Sequence, residues 1–140
     1  GQVMQLPVKQ HRTKTSNRYF NYIYVRMGAH TLIHKRTEDD IWKNLFELPL
    51  VETEKDLSEE EFLACPQFHA LFAEGEVRMV RTLLRGVKHV LSHRVIYTNF
   101  YEVTLPDNSS SFSSYQRVAV EDLGRYAVPR LIHAFLEKYV

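Results

Sequence analysis

The sequence has little cysteine, glycine or proline, and it has no long hydrophobic run. Of its 140 residues, one is cysteine, five are glycine and five are proline. A single thiol, Cys65, excludes an internal disulfide and any zinc or iron–sulfur site that needs several cysteines from this chain. No apolar stretch approaches the roughly 20 residues of a transmembrane helix. These absences predict a globular, non-membrane domain from a reducing, intracellular compartment.

The charge balance is almost neutral, with a formal net charge of +1. A free-standing DNA-binding protein usually has a marked basic excess, so charge alone does not predict nucleic-acid binding. The basic residues are nevertheless uneven, because Lys9, Arg12, Lys14 and Arg18 precede the first acidic residue. This segment either contacts phosphate through Arg12 and Lys14 or is simply a solvated lead-in.

Residue patterns predict an α+β domain with a mostly antiparallel or mixed sheet and a few helices. Residues 1–17 read as a linker, residues 18–140 as the folded domain, and the first residue, Gly1, suggests a part of a longer protein. The alternation of apolar residues predicts strands at 18–27, 31–35, 82–91 and 95–105. The first two are expected to form one hairpin and the last two another, which turns tightly at Ser92 and His93.

Helices are predicted by their start signals. Ser58 followed by Glu61 is a capping-box pattern, so a short helix should begin there and end before Pro66. Pro66 should open a second helical piece that ends near Gly75, and Pro129 should open an amphipathic terminal helix. Between the last strand and that helix, residues 107–114 read as a mobile, serine-rich loop.

Three segments carry a resemblance to a known family. They are Asp40 to Leu50 (DIWKNLFELPL), Val87 to Arg94 (VKHVLSHR) and Tyr126 to Leu131 (YAVPRL). Together they resemble the C-terminal domain of MutY-type adenine DNA glycosylases, over nearly the whole chain from about Leu6. Ser92-His93 matches the Phe-Ser-His loop with which that family reads 8-oxoguanine. Leu91 stands where the family usually has Phe, so the resemblance implies an apolar wedge rather than a stacking ring at this position.

The resemblance also implies what this domain lacks. The family's fold resembles that of the Nudix hydrolases, but the glutamate-rich Nudix signature is absent, because Glu59-Glu60-Glu61 lacks the preceding Arg and the following Gly. We therefore expect no catalytic residue, metal or cofactor in this chain. In the parent enzyme, a separate N-terminal half would cleave the glycosidic bond and hold an iron–sulfur cluster. The implied partners are that catalytic half and double-stranded DNA with 8-oxoguanine opposite adenine, in the bacterial cytosol or nucleoid.

The chemistry of the lesion indicates roles for the residues around the turn. Oxidation at C8 turns N7 of guanine into an N–H donor, and a serine hydroxyl can accept from it while donating to O6. We therefore assign Leu91, Ser92 and His93 to the base. His89, Lys88 and Arg94 are weaker candidates for contacts with the DNA backbone. The two histidines lack a nearby cysteine or acidic partner, which argues against zinc.

Other interpretations remain open from the sequence. A Ser-His pair in a hairpin is often turn chemistry and nothing more. The chain could be a divergent Nudix-type hydrolase of oxidised nucleotides, with Glu59, Glu60 and Glu61 holding magnesium. It could also be an interdomain or partner-docking module. Trp42, Phe46 and the tyrosines of the first strand could stack on bases, but aromatic residues of half-buried strands are more often core, and they are interpreted as core residues. Cys65 is interpreted as a small buried filler.

Overall fold

The fold was obtained as a computed structural model that describes residues 16–140. Lys9, Arg12 and Lys14 lie outside the described residues, so their proposed phosphate contacts and most of the linker assignment stay predictions. The strands are β1 (Ser16–Arg26), β2 (His30–Lys35), β3 (Phe46–Glu47), β4 (Leu50–Thr53), β5 (Met79–Leu91), β6 (Arg94–Thr104) and β7 (Gln116–Ala119). The helices are α1 (Glu59–Ala64), α2 (Pro66–His69), a 3-10 helix (Val120–Arg125) and α3 (Arg130–Tyr139). The α+β class is confirmed.

The strands form two sheets. Sheet A has the order β4-β1-β6-β5, and sheet B has the order β3-β2-β7. The central pair of sheet A, β1 and β6, is parallel, whereas the other pairs are antiparallel. β1 has six consecutive buried residues, 20–25. A strand is apolar on both faces only where both faces are covered, and sheet A does have a layer on each side.

Two hydrophobic clusters provide those layers. Even-numbered residues of β1 and β6, such as Phe20 and Phe100, belong to a first cluster with α3 and part of sheet B. Odd-numbered residues, such as Ile23 and Tyr101, belong to a second cluster with α1 and α2. The ring of Phe135 on α3 stacks on that of Phe100 at a centroid distance of 4.1 Å. Alternate side chains of a strand point to opposite faces, so the two clusters lie on opposite sides of sheet A.

The predicted hairpin of the first two strands is wrong. β1 and β2 are joined only through the bridge between Met27 and His30, and β2 then pairs with β3 and β7 in the other sheet. Gly28, with φ of 61°, makes the turn in the left-handed region that favours glycine. The local pattern identifies strands and a turn, but the choice of pairing partner depends on residues far away in the chain.

The helix start signals are confirmed. The Ser58 hydroxyl accepts from the Glu61 backbone N–H at 3.1 Å, and the Glu61 carboxylate accepts from the Ser58 N–H at 2.9 Å. Pro66 opens α2, although that helix ends at His69 rather than near Gly75. In α3 the buried residues are Leu131, Ile132 and Phe135. No helix in the described part of the chain has the length and apolar character needed to cross a membrane.

The serine-rich segment 107–114 is anchored rather than loose, contrary to the prediction. The Glu76 carboxylate accepts from the hydroxyls of Ser109 and Ser111, and from the Ser110 backbone N–H at 3.1 Å. These hydrogen bonds, led by that of Ser109, lower the pKa of Glu76 to about 2. Phe112 is buried in the second cluster. Glu76 lies more than thirty residues before the loop, so no local pattern in the sequence indicates the anchor.

Candidate nucleic-acid interface

The predicted Ser92-His93 turn is present at the tip of the longest hairpin. β5 and β6 pair up to Leu91 opposite Arg94, which leaves only Ser92 and His93 to connect the strands. Both side chains are exposed. The His93 carbonyl accepts from the backbone N–H of Ser16 at 3.1 Å and from its hydroxyl at 3.3 Å. The start of β1 therefore holds the turn, while the Ser92 and His93 side chains face solvent.

The strand that leads into the turn is an irregular edge strand. Its register with β6 shifts twice, between Thr82 and Leu84 and between Leu84 and Val87. Gly86, with φ of 71°, donates its N–H to the Asn99 side-chain oxygen at 2.8 Å. Bulges of this kind bend a strand and discourage another strand from pairing with its open edge. After the second register shift, β5 pairs regularly with β6 over its last five residues, 87–91.

Those last residues alternate between the two faces of sheet A. Leu91 is half-buried and packs against the first cluster, as Val87 does. Lys88 and Val90 point to the opposite face, where Val90 is 65% exposed. The assignment of Leu91 to the base stays a prediction, and the structure places the exposed apolar side chain one residue earlier.

His89 lies beside the loop that carries Trp42. The two rings meet edge to face at 6.0 Å, and Trp42 in turn contacts Phe20 at 5.9 Å. Trp42 and Phe46 pack against the first cluster, in agreement with their interpretation as core residues. His89 is thereby half-buried on the side of the sheet that contains Trp42, behind the exposed turn.

Arg94, a predicted phosphate contact, forms an ion pair with Asp40. Its guanidinium lies 3.2 Å from Asp40 Oδ1, and its side chain remains 41% exposed. Asp40 also accepts two hydrogen bonds from Arg18, at 2.8 and 2.9 Å, and one from Arg36 at 2.9 Å. The Arg18 hydrogen bonds hold the pKa of Asp40 far below its ordinary value. A phosphate that binds Arg94 must therefore compete with Asp40, whereas exposed Lys88 has no ion pair among the described residues.

A second carboxylate, more deeply buried than that of Asp40, shares Arg36 with it. Glu47 is 2% exposed and accepts from the Tyr22 hydroxyl at 2.7 Å and from Arg36 at 3.0 and 3.1 Å. His34 Nε2 lies 2.9 Å from the other side of the carboxylate. Burial, and then the charge of Glu47, raise the pKa of Tyr22 well above its ordinary value. The sequence analysis missed both carboxylates, although a glutamate within the apolar run Leu45 to Leu50 was an available signal.

The acidic residues of α1 are arranged differently from a metal site. Glu61 is committed to the capping box, and Glu59 and Glu60 are exposed on the first turn of the helix. Among residues 16–140, no group of three or more histidine, cysteine or acidic side chains is placed to hold a metal ion. Cys65 is half-buried and packs against the second cluster, which fits a small apolar filler.

Comparisons with known proteins agree on the fold. A family model described as NUDIX domain matches residues 21–138. The chain is similar to a structure of the complex between the C-terminal domain of mouse MUTYH and human PCNA, with a TM-score of 0.65, 15% identity, and 87% of this chain and 86% of that chain covered. It is also similar to the MutT protein from Methanosarcina mazei Go1, with a TM-score of 0.56, 18% identity, and 89% and 93% covered.

The E. coli ORF135 protein is a further structural match, with a TM-score of 0.57, 14% identity, and 94% of this chain and 91% of that chain covered. No curated protein matches the chain. The Nudix-like fold is therefore confirmed. At these identities, the structural matches establish the shared fold and do not separate a MutY-type domain from a MutT-type hydrolase.

Proposed function

Because the chain belongs to the NUDIX domain family, we propose that it is a lesion-reading domain of that fold, which recognises 8-oxoguanine opposite adenine in DNA. The observation that carries the proposal is the turn itself. Ser92 and His93 are exposed at the tip of the β5–β6 hairpin, and Ser16 holds the backbone of the turn from the side. A fixed backbone with exposed polar side chains is what a base-reading element requires.

Ser92 is proposed to distinguish the lesion from guanine. Its hydroxyl accepts from the N7–H that oxidation creates and donates to O6, whereas N7 of ordinary guanine has no hydrogen to give. His93 donates an N–H to a base edge or a phosphate. A good bidentate base contact discriminates by about 1–3 kcal/mol. One turn of this kind therefore biases recognition by a factor of about 5 to 150.

Lys88 and Arg94 are proposed to hold the DNA backbone on either side of the turn. Each phosphate contact adds affinity that falls with salt and carries no sequence information. Since Arg94 already forms an ion pair with Asp40, we expect Lys88 to contribute more to the affinity for DNA. With a net charge of +1, we expect weak binding by this domain alone.

Glycosidic-bond cleavage and an iron–sulfur cluster are proposed for a separate catalytic half of a bacterial cytosolic enzyme, with which this domain would cooperate.

The test is an NMR titration of the 140-residue chain at low salt, with duplexes that contain 8-oxoguanine or guanine opposite adenine. We expect shifts centred on residues 91–94 that saturate at lower concentration with the lesion. Ser92→Ala should reduce the preference for the lesion to nearly one, whereas Ser113→Ala, a change at an exposed serine in another loop, should keep it. Equal affinity of the wild-type chain for both duplexes would contradict the proposed reading by this turn.

The second candidate is a Nudix-type hydrolase of oxidised nucleotides. It is favoured by the similarity to MutT and by two exposed glutamates, Glu59 and Glu60, on α1. Magnesium-dependent release of pyrophosphate from 8-oxo-dGTP separates the two candidates. Turnover that disappears in Glu59→Gln or Glu60→Gln would establish the hydrolase, and we expect no turnover above a buffer control.

A further inference from the structure

Within the part of the chain that the structure describes, a pair of half-buried tyrosines forms a partly exposed patch on sheet A near the turn. We propose that this platform, made of Tyr19, Tyr97, Lys88, Val90 and Val95, binds the bases of a single-stranded DNA segment. The inference rests on the proposed function in one respect, since it assumes that DNA reaches the neighbouring turn. The base-stacking chemistry of the platform is independent of the lesion.

Strand register places these side chains on one face. Tyr19 of β1 is opposite Tyr97 of β6, which is opposite Lys88 of β5, and Val95 is opposite Val90. Tyr19 and Tyr97 are odd-numbered, so they point to the same side of sheet A as Ile23 and Tyr101. This is the side of α1 and α2, opposite the side that contains Trp42 and Asp40 with its three arginine partners.

The helices do not cover this end of the face. α1 packs over Tyr101, where the Phe62 ring stacks at 4.6 Å. Tyr19 and Tyr97 belong to neither hydrophobic cluster of the described residues, and instead stack on each other at 5.6 Å with planes 16° apart. In such a pair, each ring has one face directed away from its partner. Both tyrosines are half-buried, so part of each side chain is exposed to solvent.

The charge on the platform suits nucleic acid. None of its five residues is acidic, and Lys88 is exposed next to Tyr97. Aromatic faces with an adjacent cation are the usual means of binding single strands, because every base has a π-face and every nucleotide has a phosphate. A peptide would have to supply both a planar ring and an anion at this spacing, whereas each nucleotide carries both.

The platform is continuous with the turn. Tyr97 follows the turn by four residues on β6, which at 3.3 Å per residue is about 13 Å. This is roughly the rise of four nucleotides along one strand of B-DNA. A DNA strand that is read at Ser92 and continues beyond the duplex as a single strand therefore reaches Tyr97.

The experiment measures binding of the 140-residue chain to fluorescein-labelled oligothymidylate of about 12 nucleotides, at low salt, by fluorescence anisotropy. Oligothymidylate contains no guanine, so lesion reading by Ser92 does not contribute to its binding. We expect Tyr97→Leu to raise Kd about tenfold, since stacking of one base is lost, and Tyr97→Phe to keep the wild-type Kd. Tyr139→Leu, at an exposed tyrosine on α3, is the matched control and should bind like wild type.

Val90→Asp serves as a second variant, because an exposed side chain can be changed without loss of packing. It should also weaken binding, since it adds a negative charge two residues from Lys88, on the face of sheet A that carries Tyr97. The inference is overturned if wild type does not bind oligothymidylate, or if Tyr97→Leu and Val90→Asp both bind within twofold of wild type. Loss of lesion preference in Ser92→Ala with unchanged oligothymidylate binding would separate the platform from the turn. If the platform variants bind oligothymidylate like wild type while Ser92→Ala loses its lesion preference, this inference alone is refuted.

Discussion

Replacement of Asp40 by asparagine tests the carboxylate that joins three arginines beside the turn. Asparagine keeps the size of the side chain and an oxygen that can accept the Ile41 backbone N–H, which Asp40 accepts at 2.7 Å. It removes the charge that Arg18, Arg36 and Arg94 share. The variant therefore leaves three guanidinium groups with one anionic partner fewer.

The expected loss of stability is about 2–4 kcal/mol, somewhat below the cost of breaking a fully buried pair because solvent screens part of the interaction. The Asp40 side chain is 25% exposed. Hydrogen bonds from Arg18, then the backbone N–H of Ile41 and the nearby positive charges, hold its pKa well below the ordinary value despite partial burial. The stabilisation is thus complete above the unfolded-state pKa of about 4 and is lost as pH falls through the lower pKa of the folded state.

The assay is urea unfolding at pH 7, 5 and 3, followed by the fluorescence of Trp42, the only tryptophan in the chain. We expect the gap between wild type and Asp40→Asn to be largest above pH 5 and to narrow as pH falls. Asp39→Asn, a change at the exposed neighbour, is the matched control. The reasoning is refuted if both variants unfold at the same urea concentration, or if the gap does not depend on pH.

Two further predictions concern the fold around the site. Tyr22→Phe removes the hydroxyl that donates to buried Glu47 at 2.7 Å and should lower the free energy of unfolding by about 1–3 kcal/mol, measured in urea; no loss would mean that Arg36 satisfies the carboxylate alone. Gly28→Ala places a left-handed alanine whose Cβ would lie 2.8 Å from Asp107 Oδ1, and it should cost about 1–2 kcal/mol. Gly124→Ala, where nothing lies within 4 Å of an added Cβ, should be nearly neutral; equal effects in thermal unfolding would contradict the role of the positive φ.

The turn and its hairpin could be predicted from the sequence because their signals are local. Alternating apolar residues mark β5 and β6 on each side of two polar residues, and nothing beyond that window is needed to form a two-residue turn. The capping box at Ser58 is equally local, since both of its hydrogen bonds span three residues. The family resemblance added the expectation that this particular turn faces DNA, which the titration above tests.

The surroundings of the turn could not be predicted in the same way. The sequence assigns Arg94 to phosphate because it flanks the turn, whereas its ion pair is with Asp40, 54 residues away in the chain. Gly28 correctly marked a turn, yet β2 joined another sheet. Glu76 holds a serine loop more than thirty residues away, so a segment with the composition of a mobile loop is anchored.

By itself, the sequence determined the α+β class, the main strands, the helix caps and the position of the Ser92-His93 turn, because neighbouring residues decide backbone conformation and solvent preference. Only the tertiary structure decided which strands pair, which arginines are already neutralised, and that Tyr19 and Tyr97 stack beside Lys88. Those features depend on the parallel alignment of β1 with β6. That alignment brings together residues nearly eighty positions apart through burial of both faces of one sheet, and no local pattern records it.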